Sequence, residues 1–291
     1  LLAQAGGAYL QTQGGYWQGV VAHAQALPPV VTAIPPADVT AEVLAEETSE
    51  LAAALTAQLA LANEAYGTDN AELLLTALLQ ILAKELDRDT WVVELEADGR
   101  QGFEQGPASE LDGSRTVGGF ASHYPAVMEV AGGTDLSRNL KSVKEQVRSV
   151  PDKGLGYGVL RYLSEHGAVL ALKPDVQFTY IDQSADPLSW GNDAAVHLPV
   201  VAALLTTPLV SGCALSVVGV ATNGCLRITF RYQTTTYAPS LIAALAESCR
   251  DQLAALVVHC LAQSERELTP SDFGNNDLSL ADIDRISALF N

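Results

Sequence analysis

The Asn223-Gly224 pair, set between two long apolar runs near 213–220 and 225–232, is the sharpest constraint on what this chain can fold into. A two-residue Asn-Gly loop closes an antiparallel hairpin because both of its positions take positive φ at low cost. The two runs are therefore predicted to be paired strands. A hairpin this apolar needs cover to be stable in water. The segment from Pro239 to about Gln263 offers it, with Leu241, Leu245, Leu253, Leu256 and Val257 on one helical stripe. The run PDVQFTYI at 174–181 reads as a strand just before the hairpin, and the three together are predicted to form a β-meander.

Upstream, TWVVELEA at 90–97 alternates as a strand, and a second extended segment follows at Tyr124 to Val130. Asp69 with Glu72 three residues on has the form of a capping box opening a buried helix to about Leu86, through Leu73, Leu74, Leu78 and Ile81. The helix Asp135–Ser149 carries its acid first and Lys141, Lys144 and Arg148 late, as the helix dipole favours. A short helix is predicted over Tyr157–Glu165. VTAEVL at 39–44 suggests a strand, and the strong helix formers from Ala45 to Tyr66 suggest that a helix follows it directly. Before these, a short amphipathic stretch around Tyr16-Trp17 leads into Leu27 to Pro36, where four prolines prevent regular structure. Residues 1–36 are expected to be a connector and 37–291 the body of the fold. Strands mixed with covering helices imply a layered α/β sandwich.

Charge excludes some function classes. With 34 acidic against 16 basic residues, the net charge of −18 makes attraction to nucleic acid or to anionic membrane surfaces unfavourable. The uncharged stretch from Ala194 is broken by Pro199, Pro208 and glycines, so it reads as buried strands rather than a bilayer span. Cys213, Cys225, Cys249 and Cys260 have no paired spacing and sit in apolar segments, as reduced core residues would. His259-Cys260 is the nearest approach to a metal pair, but neighbours on a helix diverge by about 100° and do not share a metal easily. The absence of a signal-like start points to the cytoplasm. The chain begins at Leu1 in mid-segment, without a helix cap, and is expected to be a piece of a longer polypeptide.

Several short motifs then occur in a telling order. Glu72-Leu73-Leu74-Leu75-Thr76-Ala77 is similar to D-x-L-L-x-A, and Glu96-Ala97-Asp98-Gly99-Arg100-Gln101 is similar to E-G-H-G-R-E. Arg115 to Pro125 follows R-T-V-G-W-F-T-x-x-Y-P closely, with Gly119 in place of Trp. Pro151, Gly154, Gly156, Tyr157 and Gly158 match P-x-x-G-x-G-Y-G fully. Phe178 to Gln183 is similar to F-N-Y-L-G-Q, and TPSDF at 269–273 to a closing segment. Each motif alone is weak. Five in order over 72–183 resemble the epimerization domains of nonribosomal peptide synthetases, members of the condensation-domain superfamily with a chloramphenicol-acetyltransferase-like sandwich.

The resemblance implies proton removal and return at Cα of an aminoacyl or peptidyl thioester. The substrate would arrive on the phosphopantetheine arm of a peptidyl carrier protein, among neighbouring synthetase modules, with no metal or cofactor belonging to the domain itself. It assigns Glu96 and Tyr180 to catalysis and Asp98, Arg100, Gly119, Tyr157 and Thr179 to the substrate tunnel. The family's H-H-x-x-x-D-G is absent, since none of His23, His123, His166, His197 and His259 is followed four residues later by Asp. In relatives that motif belongs to an amino-terminal subdomain, which is expected to be the missing half. Asp98 and Gln101 stand where the family has His and Glu, so the proton-transfer network is altered or lost. Gly119 either opens space beside the tunnel or leaves a cavity. Arg100 and Arg115 read most simply as ion-pair partners, with a phosphate contact as the second reading. Two other activities fit the same motifs: a catalytically silent docking platform for a carrier protein or tailoring enzyme, and, less well, an amide-forming condensation domain.

Overall fold

The computed structural model describes residues 8–30, 44–99, 120–130, 135–165, 167–182 and 213–273, with positions 280, 282, 283 and 285. Helix α1 (Ala8–Ala26) comes first, then strand β1 (Leu44–Leu51), the short helices α2 (Ala53–Thr56) and α3 (Leu59–Glu64), and helix α4 (Asn70–Leu86). Strands β2 (Thr90–Asp98) and β3 (Ala121–Glu129) follow, then helices α5 (Leu136–Arg148) and α6 (Leu155–Leu163) and strand β4 (Val176–Asp182). The hairpin β5 (Leu215–Thr222) and β6 (Cys225–Gln233) leads to helix α7 (Pro239–Leu261).

The strands make one mixed sheet in the order β1-β6-β5-β4-β2-β3. Pairing is parallel between β2 and β4 and between β4 and β5, and antiparallel elsewhere. The Asn-Gly turn forms as expected, with φ of 51° at Asn223 and 77° at Gly224. The expected meander does not: β4 runs parallel to β5, with Tyr180 level with Gly219. A parallel neighbour needs a crossover connection, and residues 183–212 between the two strands lie outside the described residues. β5 is buried along nearly its whole length, as a central strand covered on both faces must be.

A second correction falls at residues 45–51, predicted as helix and found as strand β1. Pairing with β6 overrides local propensity here. Thr48 Oγ1 lies 3.1 Å from Thr229 Oγ1, Glu50 bridges Arg227 at 2.8 Å, and Ser49 Oγ donates to the Ala246 carbonyl at 2.8 Å. Of the strand expected at 39–44, residues 39–43 lie outside the described residues and Leu44 opens β1.

Helices α4 and α7 pack together over the sheet, α7 across β1 and β6 and α4 over β4. The capping box at the start of α4 is complete: Asp69 Oδ1 accepts from the Glu72 N–H at 2.7 Å, and Glu72 Oε2 accepts from the Asp69 N–H at 2.9 Å. At the other end of the sheet α1 and α6 pack on β3. Instead of a short stretch, α1 is a 19-residue helix whose Trp17 is fully buried against Tyr124 and Tyr157. Cys213, Cys249 and Cys260 are buried and all four cysteines are free thiols. Among the described residues no helix is long and apolar enough to cross a membrane, and no cluster of metal-ligating side chains occurs.

Candidate functional site

A cavity of about 540 Å³ opens where the first turn of α4, the far ends of β2 and β4, and the end of α5 converge. Asp69, Ala71, Glu72 and Leu75 line it from α4, and Leu95 and Glu96 from β2. Tyr124, Val147 and Arg148 close another side, with Lys153, Phe178 and Tyr180. Two long, rigid elements therefore hold the two side chains assigned to chemistry, Glu96 and Tyr180, in one hollow.

Glu96 is exposed into this space, and Thr179 Oγ1 donates to its Oε2 at 3.2 Å from the neighbouring β4. Thr179 itself is buried, so the contact anchors one carboxylate oxygen from below. The strand register puts His123 directly across from Glu96. Tyr180 packs over Gly219, where a Cβ would meet both Leu74 and the tyrosine ring. Its hydroxyl accepts from Asn70 Nδ2 at 3.1 Å. Burial, reinforced by the Asp182 carboxylate, pushes that hydroxyl up to about 12, so it keeps its proton at neutral pH and can donate into the cavity.

Behind Glu96, charge is tightly paired. Glu72 is almost fully buried, and burial raises its carboxyl above the usual range despite a bidentate grip by Arg148 at 2.7 and 2.9 Å. Arg148 Nη2 also donates to the Gly67 carbonyl at 2.7 Å. On the same flank Lys144, wholly buried, reaches Asp272 and the Tyr66 carbonyl, both at 2.7 Å.

The glycine-rich turn forms the rim. Asp152, Lys153 and Gly154 are all left-handed, with φ of 46°, 50° and 80°. For the two non-glycine residues such backbone costs about 1–2 kcal/mol each. The turn is braced from α1, where Tyr9 Oη and Gln13 Nε2 donate to Asp152 Oδ2 at 2.6 and 2.8 Å. At Gly154 the Tyr124 ring occupies the place of a side chain.

Not every expected tunnel residue reaches the cavity. Tyr157 is not among its lining residues: its hydroxyl donates to the Leu170 carbonyl at 2.9 Å and its ring packs on Trp17. Asp98 is described in its backbone alone, level with Ala121, and Arg100, Gln101, Arg115 and Gly119 lie outside the described residues. Asn70, Arg148 and Lys153 were not foreseen as part of the site. Lys153 occupies a variable position inside P-x-x-G-x-G-Y-G, where a motif gives no prompt.

Residues 3–279 match the Condensation domain family. The chain belongs to that family. Among curated relatives, it is 35% identical over 232 residues to surfactin synthase subunit 1 of Bacillus subtilis (strain 168), covering 78% of this chain and 6% of that protein. It is 34% identical over 238 residues to gramicidin S synthase 1 of Brevibacillus brevis, covering 77% of this chain and 21% of that protein. Among solved structures, the epimerization domain from the third module of tyrocidine synthetase B superposes with a TM-score of 0.71 at 26% identity, covering 90% of this chain and 58% of that one. The X-domain from teicoplanin biosynthesis shares the fold, with a TM-score of 0.57 at 15% identity over 87% of this chain and 56% of that one. This condensation-family chain thus spans a small part of its curated relatives and under two thirds of those solved domains.

Proposed function

We propose that this chain supplies one wall of an epimerization site in a cytoplasmic nonribosomal peptide synthetase. The substrate is an aminoacyl or peptidyl thioester on the phosphopantetheine of a carrier protein. The single observation that carries the reading is that Glu96 and Tyr180 line one cavity bounded by the glycine-rich turn. Inversion at Cα requires a base on one face and an acid on the other. Glu96 serves one face, Tyr180 donates a hydrogen bond to the enolate-like intermediate, and an imidazole from the family's histidine-bearing subdomain serves the other face. Thr179 holds the Glu96 carboxylate in place.

The test is Cα deuterium incorporation from heavy water into substrate tethered on the intact parent protein, read by mass spectrometry. Glu96→Gln is expected to slow exchange by at least about 10²-fold, the ordinary contribution of general acid–base catalysis. Exchange at the wild-type rate in that variant would remove Glu96 from its role. A second reading, a silent docking platform, draws on the shared fold with the X-domain, which was also solved in complex with OxyB. It predicts no exchange by the intact parent and tight capture of a tailoring enzyme.

A further inference from the structure

Lys153 stands on the rim of the cavity shared by Glu96 and Tyr180, and its side chain is exposed. Its backbone sits at φ 50° and ψ 36°, between Asp152 at φ 46° and ψ 36° and Gly154 at φ 80°. Lysine gains nothing locally from such a conformation, and strain of this kind persists only where surroundings over-determine it. Here the surroundings are two side chains of α1, Tyr9 and Gln13, gripping Asp152, and the Tyr124 ring filling the space beside Gly154. Lys153 is thereby presented from a braced turn.

The charges around the cavity indicate what it is presented to. Asp69, Glu72 and Glu96 supply carboxylates to the lining, Arg148 and Lys153 the cations. Arg148 grips Glu72 through two nitrogens, and Asp69 caps the start of α4. Glu96 and Lys153 are both exposed, and their opposite charges border the space a substrate would enter.

Under the epimerization reading, on which this inference rests, proton transfer breaks the Cα–H bond and forms an O–H bond on the base. The bonding pair moves into a Cα–C double bond, and the thioester oxygen takes the negative charge. With Glu96 as base, a full unit of charge leaves residue 96 and appears on that oxygen; a proton from the imidazolium at the other face neutralises it, leaving Glu96 protonated and the imidazole neutral until both exchange protons with solvent. A fixed cation beside the receiving oxygen favours the transition state over the ground state, because the charge it meets develops during the reaction. We propose that Lys153 is the catalytic residue that stabilises the enolate oxygen, with Asp152, Tyr9 and Gln13 as positioning residues that aim it.

Deuterium exchange in the intact parent, at saturating and at limiting carrier-bound substrate, tests this. Lys153→Gln is expected to lower the maximal exchange rate about 10²-fold, the usual loss for one oxyanion donor, with KM held within about twofold. Lys153→Arg recovers part of the rate, since the charge remains. Tyr9→Phe lowers the rate severalfold, again without moving KM, a split that a purely structural bond would not produce. A wild-type rate in Lys153→Gln, or a loss confined to KM, overturns the assignment while a slowed Glu96→Gln leaves the epimerization reading standing. No exchange in the wild-type parent overturns both. Should Lys153→Gln lose its fold, Lys153→Arg and Tyr9→Phe decide: a wild-type rate in Tyr9→Phe together with no recovery in a folded Lys153→Arg rejects the role.

Discussion

Gly154 and Gly158 occupy one motif and look interchangeable in sequence, yet their surroundings demand opposite things of them. Gly154 has φ of 80° and the Tyr124 ring in the position a Cβ would take, so Gly154→Ala meets both a backbone and a packing penalty. Overpacking alone costs about 1–3 kcal/mol, and the midpoint of urea unfolding should fall accordingly. Gly158 lies inside α6, and a methyl group there would have nothing within 4 Å, so Gly158→Ala is expected to stabilise by about 0.5–1 kcal/mol. Equal shifts in the two variants would show that the turn does not have this geometry. Of the three motif glycines, Gly154 is the one that sits in the turn. Gly156 and Gly158 fall in the helix that follows, and a spacing pattern carries no information about which ring will lie beside which glycine.

At the scale of elements, local patterns were legible wherever one segment could announce its own structure. The capping box at Asp69 and Glu72, the Asn223-Gly224 turn and the apolar stripe of α7 all formed as expected. β1 failed the same test because Ala45 to Leu51 contains strong helix formers, and only its partner about 180 residues later makes it a strand. α1 was missed for a related reason: its apolar face is narrow, and its worth comes from Trp17, which seats between Tyr124 and Tyr157. Trp17→Ala should cost about 3–5 kcal/mol, the range for emptying a large aromatic site. Limited proteolysis would check the placement, since α1 should be cut earlier in the variant while α7 stays protected. Cleavage at unchanged rates would mean that Trp17 does not hold α1 down.

For the whole molecule, sheet order and ion pairing depend on contacts between distant segments, which periodicity does not report. The parallel β4–β5 pair was hidden for this reason, and so was the role of TPSDF, legible only as a closing segment. In the structure Asp272 of that segment accepts from Lys144 Nζ at 2.7 Å and from the Thr269 N–H at 2.9 Å, so the segment is fastened to α5 and, through Arg148, to Glu72 at the start of α4. Burial alone would raise the Asp272 carboxyl, but the bonds from Lys144 and Thr269 outweigh it and hold it below its ordinary 3.8. A depressed carboxyl stabilises the fold above its unfolded value and loses that contribution as pH falls through its folded one. Glu72 works the other way, since burial raises it above 4.5 and its contribution is greatest at low pH. Acid unfolding below 3.8 should therefore draw on Asp272 and not on Glu72. Asp272→Asn strands the fully buried Lys144 ammonium, which should cost about 3–5 kcal/mol, the range for breaking a buried pair. Adding Lys144→Met to Asp272→Asn removes the stranded charge, and it should recover most of that loss and flatten the decline in urea midpoint at acid pH. If the double variant is no more stable than Asp272→Asn alone, the fastening of the closing segment rests on its hydrogen bonds to Thr269 rather than on the buried pair.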